Sequence, residues 1–295
     1  MVSPNASQLS ALSRLFSPGV FREISRKGQS ALFSRLFSQT GIDLVSHHTV
    51  ADGFDAAFAI LRRSGCRDEY VYRAALTQNV LLGTHSLNSA SMLTEFRAGA
   101  CKADLAILNG TATVYEIKSE RDSLARLENQ IKNYRKVFAK IYVIAGEAHV
   151  NSVLDNTPPD IGVMCLNRRN QISKVRAAVD KSESVCSVTI FESLRSDEAR
   201  SILNDFGLVV PDLPNTILRS AMRDLYAQLA PAEVHKAMVS TLKRTRSLAP
   251  LSGFIQQLPL SLRPIALSVQ LRSKDQQQRF INAVNLPLAQ AMDWK

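Results

Sequence analysis

The sequence predicts an α/β fold, with an α-β-β-β-α-β core flanked by helical N- and C-terminal regions. Three observations carry this expectation. Apolar residues recur at helical spacing up to residue 63, alternate or form short continuous runs between residues 91 and 175, and return to helical spacing from Ser196 onward. The turn dipeptide Asn109-Gly110 separates two of the strand-like runs. Prolines punctuate the last helical third, where they close one helix or open the next.

Taken in order, residues 1–63 read as helical, with Leu9, Leu12, Leu15 and Phe16, then Phe54, Phe58, Ile60 and Leu61, at helical spacing. The string Ser-Arg-Leu-Phe-Ser occurs at 13–17 and 34–38, but two short copies do not make a repeat architecture. The character changes at Gly65. A helix is expected over 68–82, strands over 91–98, 103–108 and 111–118, and a helix from an N-cap at Asp122 or Ser123 to about Phe138. Residues 140–145 form a short buried strand, and 161–166 and 171–175 extend the sheet. Helices follow at 198–206, 215–229, 232–242 and 276–284, with Pro231 suited to a first helical position. These changes of pattern divide the chain into a helical region 1–63, a core 64–192 and a helical region 193–295.

The 295 residues are 45% hydrophobic and 21% charged, a globular composition that excludes wholesale disorder and fibrous repeats. Thirty-six Lys and Arg against 26 Asp and Glu leave a net charge of +10, which favours an anionic partner, nucleic acid ahead of membrane. The excess is concentrated: residues 121–140 and 219–246 each carry six basic against two acidic residues, and 263–279 four against one. No apolar run approaches a membrane span, and the first twenty residues lack a basic start and an apolar h-region. Cys66, Cys101, Cys165 and Cys186 are scattered, without a C-x-x-C pair, which fits a reducing, cytoplasmic setting. Neither nucleotide-binding glycine motif is present, nor a G-x-S-x-G elbow. His47, His48, His85, His149 and His235 include no H-E-x-x-H arrangement.

The chemistry is concentrated at the centre. Glu116 and Lys118 are two apart on a predicted strand and emerge on one face, with Tyr115 and Ile117 on the other. A two-residue Asn109-Gly110 loop would set Asp104 on the face away from Glu116 and mix apolar with charged residues. A three-residue loop 108–110 with left-handed Gly110 instead groups Leu105, Ile107, Tyr115 and Ile117 on one face and Asp104, Glu116 and Lys118 on the other. The two acids are then diagonal neighbours. Two carboxylates at that reach suit Mg²⁺, a hard cation that takes oxygen ligands and keeps several waters, with Mn²⁺ able to substitute. Such an ion activates water and polarises a phosphodiester, and a lysine beside it stabilises the developing charge. The plain alternative is a surface ion-pair patch on a hairpin.

Asp104 followed by Glu116-Ile117-Lys118 resembles the D…E-x-K signature of the PD-(D/E)XK nuclease superfamily, and the element order is similar to its restriction-endonuclease-like core with a mixed sheet. The run Glu116-Ile117-Lys118-Ser119-Glu120-Arg121-Asp122-Ser123-Leu124-Ala125-Arg126-Leu127, followed by Gln130, resembles an uncharacterised bacterial group with an E-I-K-S-x-R-D-S-L-x-R-L-x-x-Q run. The likeness covers residues 68–145. It implies that Asp104 and Glu116 bind metal, that Lys118 is catalytic, and that Gln130 and Tyr134 match a Q-x-x-x-Y element in which the glutamine assists the site. It also implies an additional acid, for which Glu95 is preferred over Glu69. Ala103 stands where the superfamily's name places proline.

Leu124, Leu127, Ile131, Tyr134 and Phe138 form a buried stripe, so Tyr134 reads first as core, with Gln130 beside the stripe. Arg121 and Arg126 are candidates for substrate phosphate, against a solvated helix face. The resulting expectation is a Mg²⁺-dependent nuclease acting on DNA, in a setting such as defence against foreign DNA, either homo-oligomeric or activated by a partner protein. Two alternatives stand beside it: an RNA-directed nuclease, and a non-catalytic module that binds nucleic acid or a partner on the same fold. Substrate is expected to cross the sheet at the three charged residues and rest on the basic C-terminal helices.

Overall fold

A computed structural model describes residues 4–46, 48–120 and 122–295; His47 and Arg121 lie outside the described residues. The chain forms two compact units, one of Met1–Thr84, Arg168–Gln171 and Leu248–Lys295, the other of His85–Asn167 and Ile172–Ser247.

The first unit is helical. Ala6–Leu15, Pro18–Lys27, Ala31–Ser38 and Val50–Leu61 start where local chemistry satisfies their free N–H groups. Asn5 and Gln8 form one capping box and Thr49 and Asp52 another, and the Ser17 side chain accepts from Val20 just ahead of Pro18. The helix expected over 68–82 is α-helical at Glu69–Leu76 and widens to a π-helical turn at Thr77–Leu81. The C-terminal helix Lys274–Val284 joins this unit: Phe280 packs on Phe21 at 4.2 Å between ring centroids, and Thr49 bridges Pro287. The ends of the chain therefore build one body.

The second unit holds a six-stranded mixed sheet in the order β1 (Ser91–Ala98), β2 (Cys101–Asn109), β3 (Thr111–Lys118), β4 (Lys140–Gly146), β5 (Gly162–Leu166) and β6 (Ile172–Arg176). The fold is thus α/β. Strands β1, β2 and β3 pair antiparallel, β4 and β5 continue parallel to β3, and β6 returns antiparallel. The β2–β3 turn has the odd parity expected, with Leu108 opposite Ala112, Asn109 opposite Thr111 and Gly110 left-handed at φ 70°. Thr111 pairs with Asn109 rather than with Ile107, a two-residue shift along β2 that keeps the parity, so Asp104 and Glu116 come opposite rather than diagonal when this register is carried one step past Leu105–Tyr115.

One sheet face carries Ala106, Leu108, Ala112, Val114, Val143 and Val163 against Leu127, Ile131 and Tyr134 of the helix Leu127–Tyr134. Ile202, Tyr226, Met238 and Leu242 from the helices Ser196–Asp205, Asn215–Ala227 and Pro231–Thr245 complete that core. On the opposite face Tyr115 and Tyr142 stack at 5.6 Å, with 10° between their planes. Arg246 locks the helices to the sheet, donating to both Glu198 carboxylate oxygens at 2.7 Å and lying 5.4 Å from the Phe96 ring centre. Burial opposes ionisation of Glu198, but Arg246, the Arg195 backbone N–H and the Thr245 hydroxyl together outweigh it and hold its pKa below the ordinary value.

The expected three-part division at 63/64 and 192/193 does not coincide with these units. Residues 193–247 pack with the sheet, whereas 248–295 pack with the N-terminal helices, because the apolar faces that match are far apart in sequence. No helix among the described residues is long and apolar enough to cross a membrane.

His235 lies buried on the helix Pro231–Thr245, and its Nε2 has no hydrogen-bond partner among the described residues. Burial lowers its pKa, partly opposed by Asp180. A neutral buried histidine stabilises the fold above its unfolded pKa of about 6.5, and that contribution is lost as pH falls below it. Urea midpoints are expected to drop between about pH 7.5 and 5.5, and His235→Leu should flatten that slope.

Candidate active site

Strands β2 and β3 part where the charged residues lie. Their ladder ends at Leu105–Tyr115, while β3 continues pairing with β4 through Lys118 and β2 continues with β1 through Ala103, Lys102 and Cys101. At the fork Asp104 Oδ2 accepts the Ile117 N–H at 2.8 Å, so a side chain takes the place of a ladder bond. Asp104 is half-buried.

Glu116 and Lys118 are 2% and 4% exposed, which removes the reading of this cluster as a surface ion-pair patch. Lys118 Nζ donates to Glu116 Oε1 at 2.8 Å and to Gln130 Oε1 at 2.9 Å. The Gln130 amide donates in turn to Glu116 Oε1 at 2.5 Å, closing a three-membered ring of hydrogen bonds. The Tyr134 hydroxyl lies 2.6 Å from Glu116 Oε2 and 2.9 Å from the Lys102 carbonyl. Burial, and then the adjacent Glu116 charge, push the Tyr134 pKa well above its ordinary value, so this group stays a proton donor. The helix Leu127–Tyr134 supplies both partners because positions 130 and 134 are one turn apart on the side facing the sheet.

Glu95 on β1 faces Asp104 in register, yet this pair is missing from the β1–β2 ladder. Its φ of 53° places a non-glycine residue in the left-handed region, a conformation that costs about 1–3 kcal/mol. The side chain is exposed, and carboxylate oxygens of Glu95 and Asp104 lie within 4.8 Å of one another. An all-oxygen pair at that spacing fits a hard divalent cation after small side-chain adjustment. Glu116 is differently placed, since both of its oxygens are taken by Lys118, Gln130 and Tyr134. Glu69, the other acid considered, begins a helix of the first unit and pairs with Arg73.

Arg126 is exposed at the start of the helix Leu127–Tyr134 and provides no capping bond. Of the two expected caps, Asp122 and Ser123, neither opens the helix, which starts at Leu127; Asp122 instead accepts from the Ser119 N–H at 2.9 Å and hydroxyl at 2.7 Å. Much of the basic charge has internal partners: Arg135 pairs with Asp160, Arg219 lies over Phe191, and Arg244 donates to Ser201. The basic stretch 263–279 belongs to the first unit. The Lys102 carbonyl and Ile117 N–H are participants that no side-chain pattern signals.

Removing Lys118 leaves a buried carboxylate without its cation. In EDTA, Lys118→Met should lower the unfolding free energy by about 3–5 kcal/mol, and Glu116→Gln combined with it should recover most of that loss. Urea titration of the single and double variants checks the coupling.

A protein of unknown function from Silicibacter pomeroyi is similar to 40% of this chain and 80% of its own, at 16% identity and a TM-score of 0.29. Protein cII of Enterobacteria phage P4 is 28% identical over 161 residues, which are 53% of this chain. The match spans 59% of that relative's length. The sequence family described as Bacteriophage P4 protein cII matches residues 62–252, nearly two thirds of the chain and all of the sheet-bearing unit. The chain is a member of the bacteriophage P4 protein cII family.

Proposed function

We propose that the second unit is a restriction-endonuclease-like, metal-dependent nuclease that hydrolyses phosphodiester bonds, with DNA as substrate. The observation that carries this reading is the buried Glu116–Lys118 pair held by Gln130 beside Asp104, at the fork between two strands. An ammonium ion and a carboxylate are costly to bury, and a purely apolar pair would serve the fold as well.

Asp104 and Glu95 are the residues that would hold Mg²⁺ or Mn²⁺, with Glu116 joining them when Lys118 releases it. A bound cation would polarise the scissile phosphate and ease deprotonation of the attacking water. Lys118 would then place its positive charge against the developing phosphorane. Gln130 keeps Lys118 and Glu116 in register, and Tyr134 fixes the second Glu116 oxygen. The left-handed backbone at Glu95 supports its part in the site, since such a conformation persists where the surroundings enforce it. Arg126, exposed at the start of the helix that carries Gln130, is a candidate contact for substrate phosphate, and the net charge of +10 supports a polyanionic partner.

A second reading, a non-catalytic nucleic-acid-binding module, is favoured by the full occupation of both Glu116 oxygens by protein donors. The two separate in one assay. Full-length protein is incubated with plasmid, linear duplex, single-stranded DNA and RNA, in Mg²⁺, Mn²⁺ or EDTA. Cleavage should require the metal and fall at least about 100-fold in Asp104→Asn and in Lys118→Gln, with circular dichroism confirming that each variant is folded. Salt-dependent binding without metal-dependent cleavage would establish the binding module, and cleavage of RNA alone would reassign the substrate.

A further inference from the structure

At the other end of the helix Leu127–Tyr134 the second unit contains a cavity of about 190 Å³. Phe138, Ile141, Ile161 and Val179 supply apolar walls, and Arg135, Lys181 and Asp160 the charged groups. The cavity does not include Asp104, Glu116 or Lys118. Its walls come from the end of the helix, the start of β4, the loop before β5 and the segment after β6. Backbone bonds hold that last segment in place, from Val179 N to Asp160 O and from Lys181 N to Ala139 O, each at 2.9 Å. Val179 is 51% exposed, so the cavity opens to solvent on its side.

The charges do not cancel. Arg135 Nη2 donates to both Asp160 oxygens at 2.7 and 2.8 Å, while Lys181 Nζ stands back at 3.7 Å. Two cations and one carboxylate leave a single positive charge on the lining. Arg135 Nε is sealed from water, without a hydrogen-bond partner among the described residues, so the positive charge open to a ligand is that of Lys181. An apolar cavity of about 150 Å³ holds one benzene ring, so there is space here for a ring-sized group and a small polar head.

We propose that this cavity is a binding site for a small monoanion, a carboxylate attached to a single apolar ring. The ring sits among Phe138, Ile141, Ile161 and Val179, and the carboxylate meets Lys181 Nζ. The proposal is independent of the nuclease reading.

The test uses full-length protein with benzoate, acetate and benzyl alcohol, followed by ¹H–¹⁵N NMR that includes the arginine Nε–Hε signals. Benzoate should bind with a Kd of about millimolar and shift the Arg135 Nε–Hε resonance. Acetate, which lacks the ring, and benzyl alcohol, which lacks the charge, should each bind at least about tenfold more weakly. Val179→Trp places a large side chain in the mouth from an exposed position and should abolish binding. Lys181→Gln should weaken it about three- to tenfold. No benzoate binding, unchanged binding in Val179→Trp, or equal affinity for benzyl alcohol would overturn the proposal.

Discussion

Glu116 sits on a sheet face it shares with Asp104, Lys118 and the apolar Ala106, Leu108, Ala112, Val114 and Val143, and the surrounding structure has to accommodate a buried carboxylate there. Water is excluded, so protein donors must take its place. Three of them do: the Lys118 ammonium from the same strand, and Gln130 and Tyr134 from the covering helix. This requirement sets the rotation of the helix on the sheet, because both residues must face inward. It also ties that helix to β2, since Tyr134 reaches the Lys102 carbonyl. A second buried ion pair, Glu198 with Arg246, performs the same task for the C-terminal helices of the unit.

The positive charge of the chain is therefore of two kinds. Arg135 and Arg246 meet acids within the fold, Arg246 an aromatic ring as well, and contribute to packing. Arg126, Lys136 and Lys236 are exposed and contribute to the external field. A count of basic residues along the sequence does not separate these roles, and the stretch 219–246 contains both.

The sheet was largely legible because strand burial imposes patterns visible in one dimension. Parity alone placed Glu116 and Lys118 together and required an odd turn at Gly110. The two-residue shift in register at that turn was not legible, since it depends on how far β2 and β3 stay paired before they fork. The true start of the helix after β3 was hidden because Asp122 has the chemistry of a cap, whereas Ser119 claims its carboxylate. The left-handed backbone of Glu95 has no sequence signal, for glutamate does not favour that region. The division into units was hidden for a different reason. It rests on contacts such as Phe21 with Phe280 and Phe33 with Trp294, which join residues more than 250 positions apart.

That interleaving has a consequence for synthesis on the ribosome. The segment His85–Ser247 contains almost everything the sheet-bearing unit needs, so this unit can close once residue 247 has emerged. The first unit cannot. Its N-terminal helices are made first, yet Phe21 and Phe33 wait for partners at the far end of the chain. During that interval their apolar faces are incomplete and open to chaperones or to misassociation. Order of appearance and order of completion thus run in opposite directions along this polypeptide.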